Sequence, residues 1–154
     1  MIKRYSRQIM ERIWEEENKF KIWLQIECHS SDAMAKFGYI PKKAALNIRK
    51  KSKFSLKRIN ELEKNIKHDV LAFLTNLSEN IGEDARFLHQ GMTSSDIVDT
   101  ALSIRMRDAS EIIIQDIKNL LKVLKSQSMK YKLTPIMGRS HGIHAETTTF
   151  GLKL

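Results

Sequence analysis

The feature that most constrains this chain is an apolar rhythm starting at Thr93. It keeps helical spacing to about Lys130 through Ile97, Ala101, Ile104, Ile113, Ile117, Leu120 and Leu124. Thr93, with Asp96 three residues on, has the form of a capping box, in which a hydroxyl and a carboxylate satisfy amides that the first turn leaves unpaired. The spacing predicts one helix of roughly 35–38 residues, about 55 Å long at about 1.5 Å per residue. A helix of that length is stabilised mainly by other long helices packed along it. Two prolines and six glycines in 154 residues leave room for more such runs and argue against a strand-rich fold with frequent turns. The fold class read from this pattern is all-α.

Upstream, residues from about Gln8 to Phe37 carry Ile9, Ile13, Phe20, Leu24 and Cys28 at helical spacing, widened by Trp14 and Trp23, which predicts one helix. Gly38 suits a left-handed terminator, and Pro41 suits the first turn of a following helix. Short helices are expected near Lys42–Arg49, Ser55–Ile66 and Val70–Asn80, the last stopped near Gly82, with one or two turns within Asp84–Gly91. After Thr134-Pro135 comes a glycine-containing segment that reads as a loop, and a new apolar stretch starts at Phe150. The sequence stops at Leu154 with no terminating signal, an expectation of truncation.

The length suits a single domain, and the 42% apolar and 29% charged fractions place the chain among soluble globular proteins. Cys28 is the one cysteine, so no internal disulfide forms and a reducing cytoplasmic compartment is expected. The charged start, with Glu15, Glu16 and Glu17 soon after, does not have the form of a signal peptide, and Ile112–Ile114 is far too short to cross a bilayer. Net charge is +9, from 27 Lys and Arg against 18 Asp and Glu. That excess fits nucleic-acid binding, attraction of a small polyanionic substrate, or a solvated lysine-rich surface. The Asn47–Lys53 run carries much of it, without the interleaved aromatics of a base-stacking platform.

Three clusters could carry chemistry. In Gly91-Met-Thr-Ser-Ser-Asp-Ile97, hydroxyls at a helix start can hold an anion, although capping alone also explains Thr93 and Asp96. In Gly138-Arg-Ser-His-Gly-Ile-His-Ala-Glu146, the histidines could be an incomplete metal set, a proton donor, or loop residues exposed without a role. In Lys67-His68-Asp69, the carboxylate could support an imidazolium, but an exposed helix end has the same composition. His89 and His29 are weaker candidates, and His29 reads as structural or solvated.

Taken together and in order, these stretches resemble the adenylosuccinate lyase family of the fumarase/aspartase superfamily. The matching segments are Arg4-Tyr5-Ser6-Arg7, Ile13–Asn18, Lys67–Val70, His89–Asp96 with Asp99-Thr-Ala101, and Gly138–Glu146 continuing through Thr149–Leu154. The resemblance runs over essentially the whole chain. It implies an N-terminal helical domain over residues 1–92 and, from 93 to 154, the start of a central bundle of long helices, here truncated. It further implies a homotetramer whose active sites each draw on three subunits. The implied activity is release of fumarate from adenylosuccinate, giving AMP, and from the succinyl-carboxamide ribotide of purine synthesis. No metal or organic cofactor and no nucleic-acid or membrane partner is implied; the partner is a purine nucleotide substrate.

By position, the resemblance gives His141 the role of general acid toward the departing nitrogen. Arg4 and Tyr5 match phosphate contacts, Lys67, His68 and Asp69 a substrate-binding stretch, and Thr93 and Ser94 the hydroxyls that hold the succinyl portion. Thr147 stands where the family usually has proline, and Ser140 replaces the commoner threonine. The family's serine-bearing loop has no match in residues 1–154, so this stretch alone is expected to be inactive. The competing classes are a basic helical nucleic-acid-binding module using Arg49–Lys53 and an interaction scaffold built on the long helix. Apolar surface on that helix is expected to drive self-association.

Overall fold

The computed structural model describes residues 2–154. Among them the chain is 72% helical, which places it in the all-α class despite one small two-stranded sheet. The helices are α1 (Gln8–Trp14), α2 (Glu16–Lys36), α3 (Lys42–Lys51), α4 (Leu56–Ile66), α5 (Asp69–Ile81), α6 (Ser94–Lys130) and α7 (Phe150–Lys153). Short 3-10 turns occur at Lys3–Tyr5 and Glu83–Phe87. Strands β1 (Pro135–Ser140) and β2 (Ile143–Thr149) form an antiparallel hairpin. The chain divides into two compact units, residues 1–109 and 110–154. Among the described residues no helix is long and apolar enough to cross a membrane.

The first unit is organised around aromatic side chains of α2 and α5. Phe20, Trp23 and Phe73 are almost wholly buried, with Phe20 stacked on Phe73 at 5.5 Å and Trp23 edge-on to both rings. Ile48 from α3, Ile59 from α4, Leu77 and Ile81 from α5, and Ile97 and Ala101 from α6 complete the cluster. Each large aliphatic or aromatic side chain removed from water in this way contributes about 1.5–3 kcal/mol. Cys28 belongs to the same core, and burial pushes its thiol above its ordinary pKa.

Helix ends follow their local chemistry. Gly38 takes φ 81°, and the Tyr39 amide reaches back to the Met34 carbonyl at 2.9 Å, closing α2 as the glycine predicts. Pro41 is the residue preceding α3 rather than its first helical position. Ser55 caps α4, and Gly82, at φ 80°, ends α5. At the start of α6, the Asp96 carboxylate accepts the Thr93 amide at 2.8 Å, as expected of that half of the box.

Two expectations need correction. The helix expected from Gln8 to Phe37 is two helices, broken at Glu15, whose backbone is extended at φ −63°, ψ 147°. The apolar spacing continues across the break, so periodicity could not reveal it. The Ile13 carbonyl is instead taken by the Asn18 side chain and by Arg105, 92 residues downstream. The segment after Thr134 is a β-hairpin rather than a loop. Its two-residue connection His141-Gly142 has both residues at positive φ, 54° and 80°, the twist that tight hairpins favour.

Candidate active site

The sequence-designated residues fall on three junctions and the chain's first turn. Lys67, His68 and Asp69 form the joint between α4 and α5. Lys67 is left-handed at φ 57°, and its amide donates to the Glu63 carbonyl at 2.8 Å, terminating α4. His68 then caps α5, its Nδ1 accepting the Leu71 amide at 3.3 Å. In this geometry Nδ1 serves as the acceptor of the cap. The Asp69 carboxylate lies 3.7 Å from the same Nδ1, too far for a hydrogen bond, and accepts the Val70 amide at 2.8 Å instead. The capping role therefore describes His68 better than an ion pair with Asp69, and the residue is exposed.

Thr93 and Ser94 open the 37-residue α6, where unpaired amides and the positive end of the helix dipole favour a carboxylate or phosphate. The turn feeding this helix start is held from beneath. Glu27, wholly buried on α2, accepts the His89 amide at 2.9 Å and contacts His89 Nδ1 at 2.7 Å. His89 is left-handed at φ 59°. Sequence reading ranked His89 low and passed over Glu27, because a glutamate inside an amphipathic helix reads as solvated. A charged residue in the helical register of Phe20 and Trp23 was the one available signal.

His141 occupies the hairpin tip and is exposed, with Ser140 opposite Ile143 and Arg139 opposite His144. The register slips between Met137 and Arg139, at Gly138, where an added Cβ would lie 2.5 Å from the Glu146 carbonyl oxygen. Only glycine allows β1 to approach β2 that closely. Thr147 pairs with Met137, a strand position that a β-branched side chain suits. The hairpin is anchored to the end of α6, where the Ser128 hydroxyl donates to the Gly151 carbonyl at 2.6 Å and Tyr131 packs on Phe150 at 5.5 Å.

Arg4 and Tyr5 lie in the 3-10 turn before α1, with the Arg4 guanidinium 4.7 Å from the Tyr5 ring centre and both side chains exposed. Arg4, Tyr5, Lys67, His68, Asp69, Thr93 and Ser94 thus belong to the first compact unit and His141 to the second. In the basic run, Arg49 pairs with Asp32 of α2, and Asn47 donates to Asp84 at 2.7 Å, so part of that run serves the fold itself. His29 is exposed on α2. Among the described residues no group of three His, Cys, Asp or Glu side chains is arranged to hold a metal.

Comparison with known proteins gives a consistent result. The sequence pattern of the lyase family matches residues 2–154. The chain is 45% identical over its full length to adenylosuccinate lyase from Bacillus subtilis (strain 168), and 46% identical to that from Streptococcus mutans serotype c. It spans 36% of the length of each of these curated relatives. Its fold matches the crystal structure of a fumarate lyase from Mesorhizobium sp. BNC1 with a TM-score of 0.87 and 28% identity, over 97% of this chain and 37% of that one. The chain therefore belongs to the lyase family, and along its whole length it corresponds to the N-terminal portion of adenylosuccinate lyases.

Proposed function

We propose that this chain supplies the N-terminal part of a cytoplasmic adenylosuccinate lyase, which eliminates fumarate from adenylosuccinate to give AMP and acts likewise on the succinyl-carboxamide ribotide. One observation carries the reading. Among the described residues, the non-glycine positions with positive φ are Lys67, His89 and His141; Lys67 and His141 lie in stretches singled out from sequence for chemistry, and His89 stands two residues before the third. A left-handed non-glycine residue costs about 1–3 kcal/mol, and such positions cluster at functional sites as well as at the helix end and hairpin turn that Lys67 and His141 form here.

In this reading, Arg4 and Tyr5 take the nucleotide phosphate, and Lys67, His68 and Asp69 line the substrate. Thr93 and Ser94 direct hydroxyls at the succinyl carboxylate, where negative charge grows as the proton beside it is removed. Fixed donors aimed at developing charge lower the barrier. His141 protonates the nitrogen as its bond to carbon breaks, a general-acid contribution of roughly 10²–10⁴-fold. The proton is removed by a serine on a loop that residues 1–154 do not match, and the working enzyme is a homotetramer. A domain boundary after residue 92 belongs to the same proposal.

The competing nucleic-acid reading has its own discriminator: salt-dependent retention on DNA or RNA, set against thermal stabilisation by AMP. The direct test is fumarate release from adenylosuccinate, followed for a full-length lyase carrying this sequence and for the 154-residue chain alone. Turnover is expected from the first and none above background from the second. A full-length protein without turnover would overturn the substrate assignment, and an active 154-residue chain would overturn the need for the distant serine.

A further inference from the structure

We propose that Arg105 is a positioning residue for the substrate phosphate: by clasping the C-terminal end of α1, it fixes the N-terminal arm on which Arg4 and Tyr5 are carried. The proposal rests on the reading of Arg4 and Tyr5 as phosphate contacts and adds the residue through which they are held.

Burial holds the arm only in part: Met10, Ile13 and Trp14 are half-buried. Helix α1 has no buried residue, and Ile2, Tyr5 and Ile9 are 62%, 74% and 54% exposed. Its polar attachment is well defined. Arg105 Nε donates to the Ile13 carbonyl at 3.0 Å, and Nη2 donates to the Trp14 carbonyl at 2.8 Å. The guanidinium also lies 4.7 Å from the centre of the Trp14 ring. Asn18 adds a second donor to the Ile13 carbonyl at 3.0 Å. The last carbonyls of a helix have no partner within it and form the negative end of its dipole. A planar guanidinium meets two of them at once, which an ammonium cannot do.

The location of Arg105 gives this clasp its consequence. It stands on α6, 11 residues after Ser94 on the same continuous helix, or about 16 Å along the axis. The arm's anchor and the Thr93–Ser94 hydroxyls thus share one rigid rod. The groups assigned to the two ends of the substrate are thereby tied to a common support, and loosening Arg105 frees one end without disturbing the other.

The test uses a full-length lyase carrying this sequence, with Arg105→Met and Arg105→Lys made in wild-type and Arg4→Gln backgrounds. Steady-state kinetics with adenylosuccinate and amide hydrogen exchange over Gln8–Trp14 are the readouts. Arg105→Met is expected to raise KM about tenfold while kcat stays within about twofold, with Arg105→Lys between it and wild type. Exchange in α1 should accelerate. In the Arg4→Gln background, the further rise in KM on Arg105→Met should shrink to less than about twofold, because the arm has already lost its charged phosphate contact and keeps only Tyr5. An unchanged KM in Arg105→Met, a rise undiminished in the Arg4→Gln background, or a fall in kcat alone would overturn the proposal. So would protection lost throughout residues 2–109 instead of in α1, which would assign Arg105 to general stability. Failure of the underlying functional reading has a different signature: the wild-type enzyme itself would not turn over adenylosuccinate.

Discussion

The two halves of α6 carry the same kind of apolar stripe in opposite surroundings. In the first half, Ile97 and Ala101 are buried in the aromatic core at 0% and 1% exposure. In the second half, Ile113, Ile114, Ile117, Leu120, Leu121 and Val123 are each 50–59% exposed. Nothing in their composition distinguishes the two stretches; one is packed within residues 1–109, and the other is half exposed. Apolar surface of this extent on a helix is a signature of association. The first unit holds a packed aromatic core, whereas the second half of α6 presents its apolar stripe half exposed.

The sharpest way to break this contrast is to truncate one residue on each side. Phe73→Ala, in the first core, should cost about 3–5 kcal/mol of unfolding free energy. Ile117→Ala, on the open stripe, should change it by less than about 0.5 kcal/mol. Denaturant unfolding of the chain measures both, and equal costs would erase the distinction.

Next in size is Glu27, the buried carboxylate under His89. Glu27→Ala strands the His89 amide and ring together and should cost about 3 kcal/mol, since breaking a buried pair from one side leaves the other group uncompensated. A loss below about 0.5 kcal/mol in the same measurement would mean that the pair is not structural. On the open stripe, Ile114→Lys with Leu121→Lys should leave the melting of the chain nearly unchanged but disperse the full-length assembly in sedimentation. An assembly indifferent to both charges would show that this stripe is not an interface. The smallest effect concerns Cys28. With its thiol raised above the ordinary range by burial, it should react with iodoacetamide only as fast as the chain opens. Because the folded-state pKa is raised, the stability linked to this thiol is complete below the unfolded pKa and declines as pH rises through the folded value. Labelling at the rate of a free thiol would place Cys28 outside the core.

Local signals were legible in proportion to how local their causes are. The span of α6 was readable to within a residue or two because its periodicity and start box are written in adjacent residues. Gly38 and Gly82 marked helix ends for the same reason. The break at Glu15 was not readable, because the side chain that satisfies α1's last carbonyls comes from Arg105. The hairpin was missed because its strands lack a clean apolar–polar alternation, and its tip is His-Gly rather than the commoner Asn-Gly. At the candidate site, the resemblance named His68, Thr93, Ser94 and His141. The left-handed backbone at Lys67, His89 and His141 became visible only in three dimensions.

Under the proposed function, the imidazole at the hairpin tip delivers a proton to nitrogen during elimination. The most direct test is His141→Asn in a full-length lyase carrying this sequence, with turnover and substrate binding measured separately. Asparagine tolerates the left-handed backbone at this position, so the change removes the acid while sparing the turn. The account predicts that kcat falls by at least about 100-fold while the substrate Kd stays within about threefold. Turnover near that of the unmodified enzyme would contradict it.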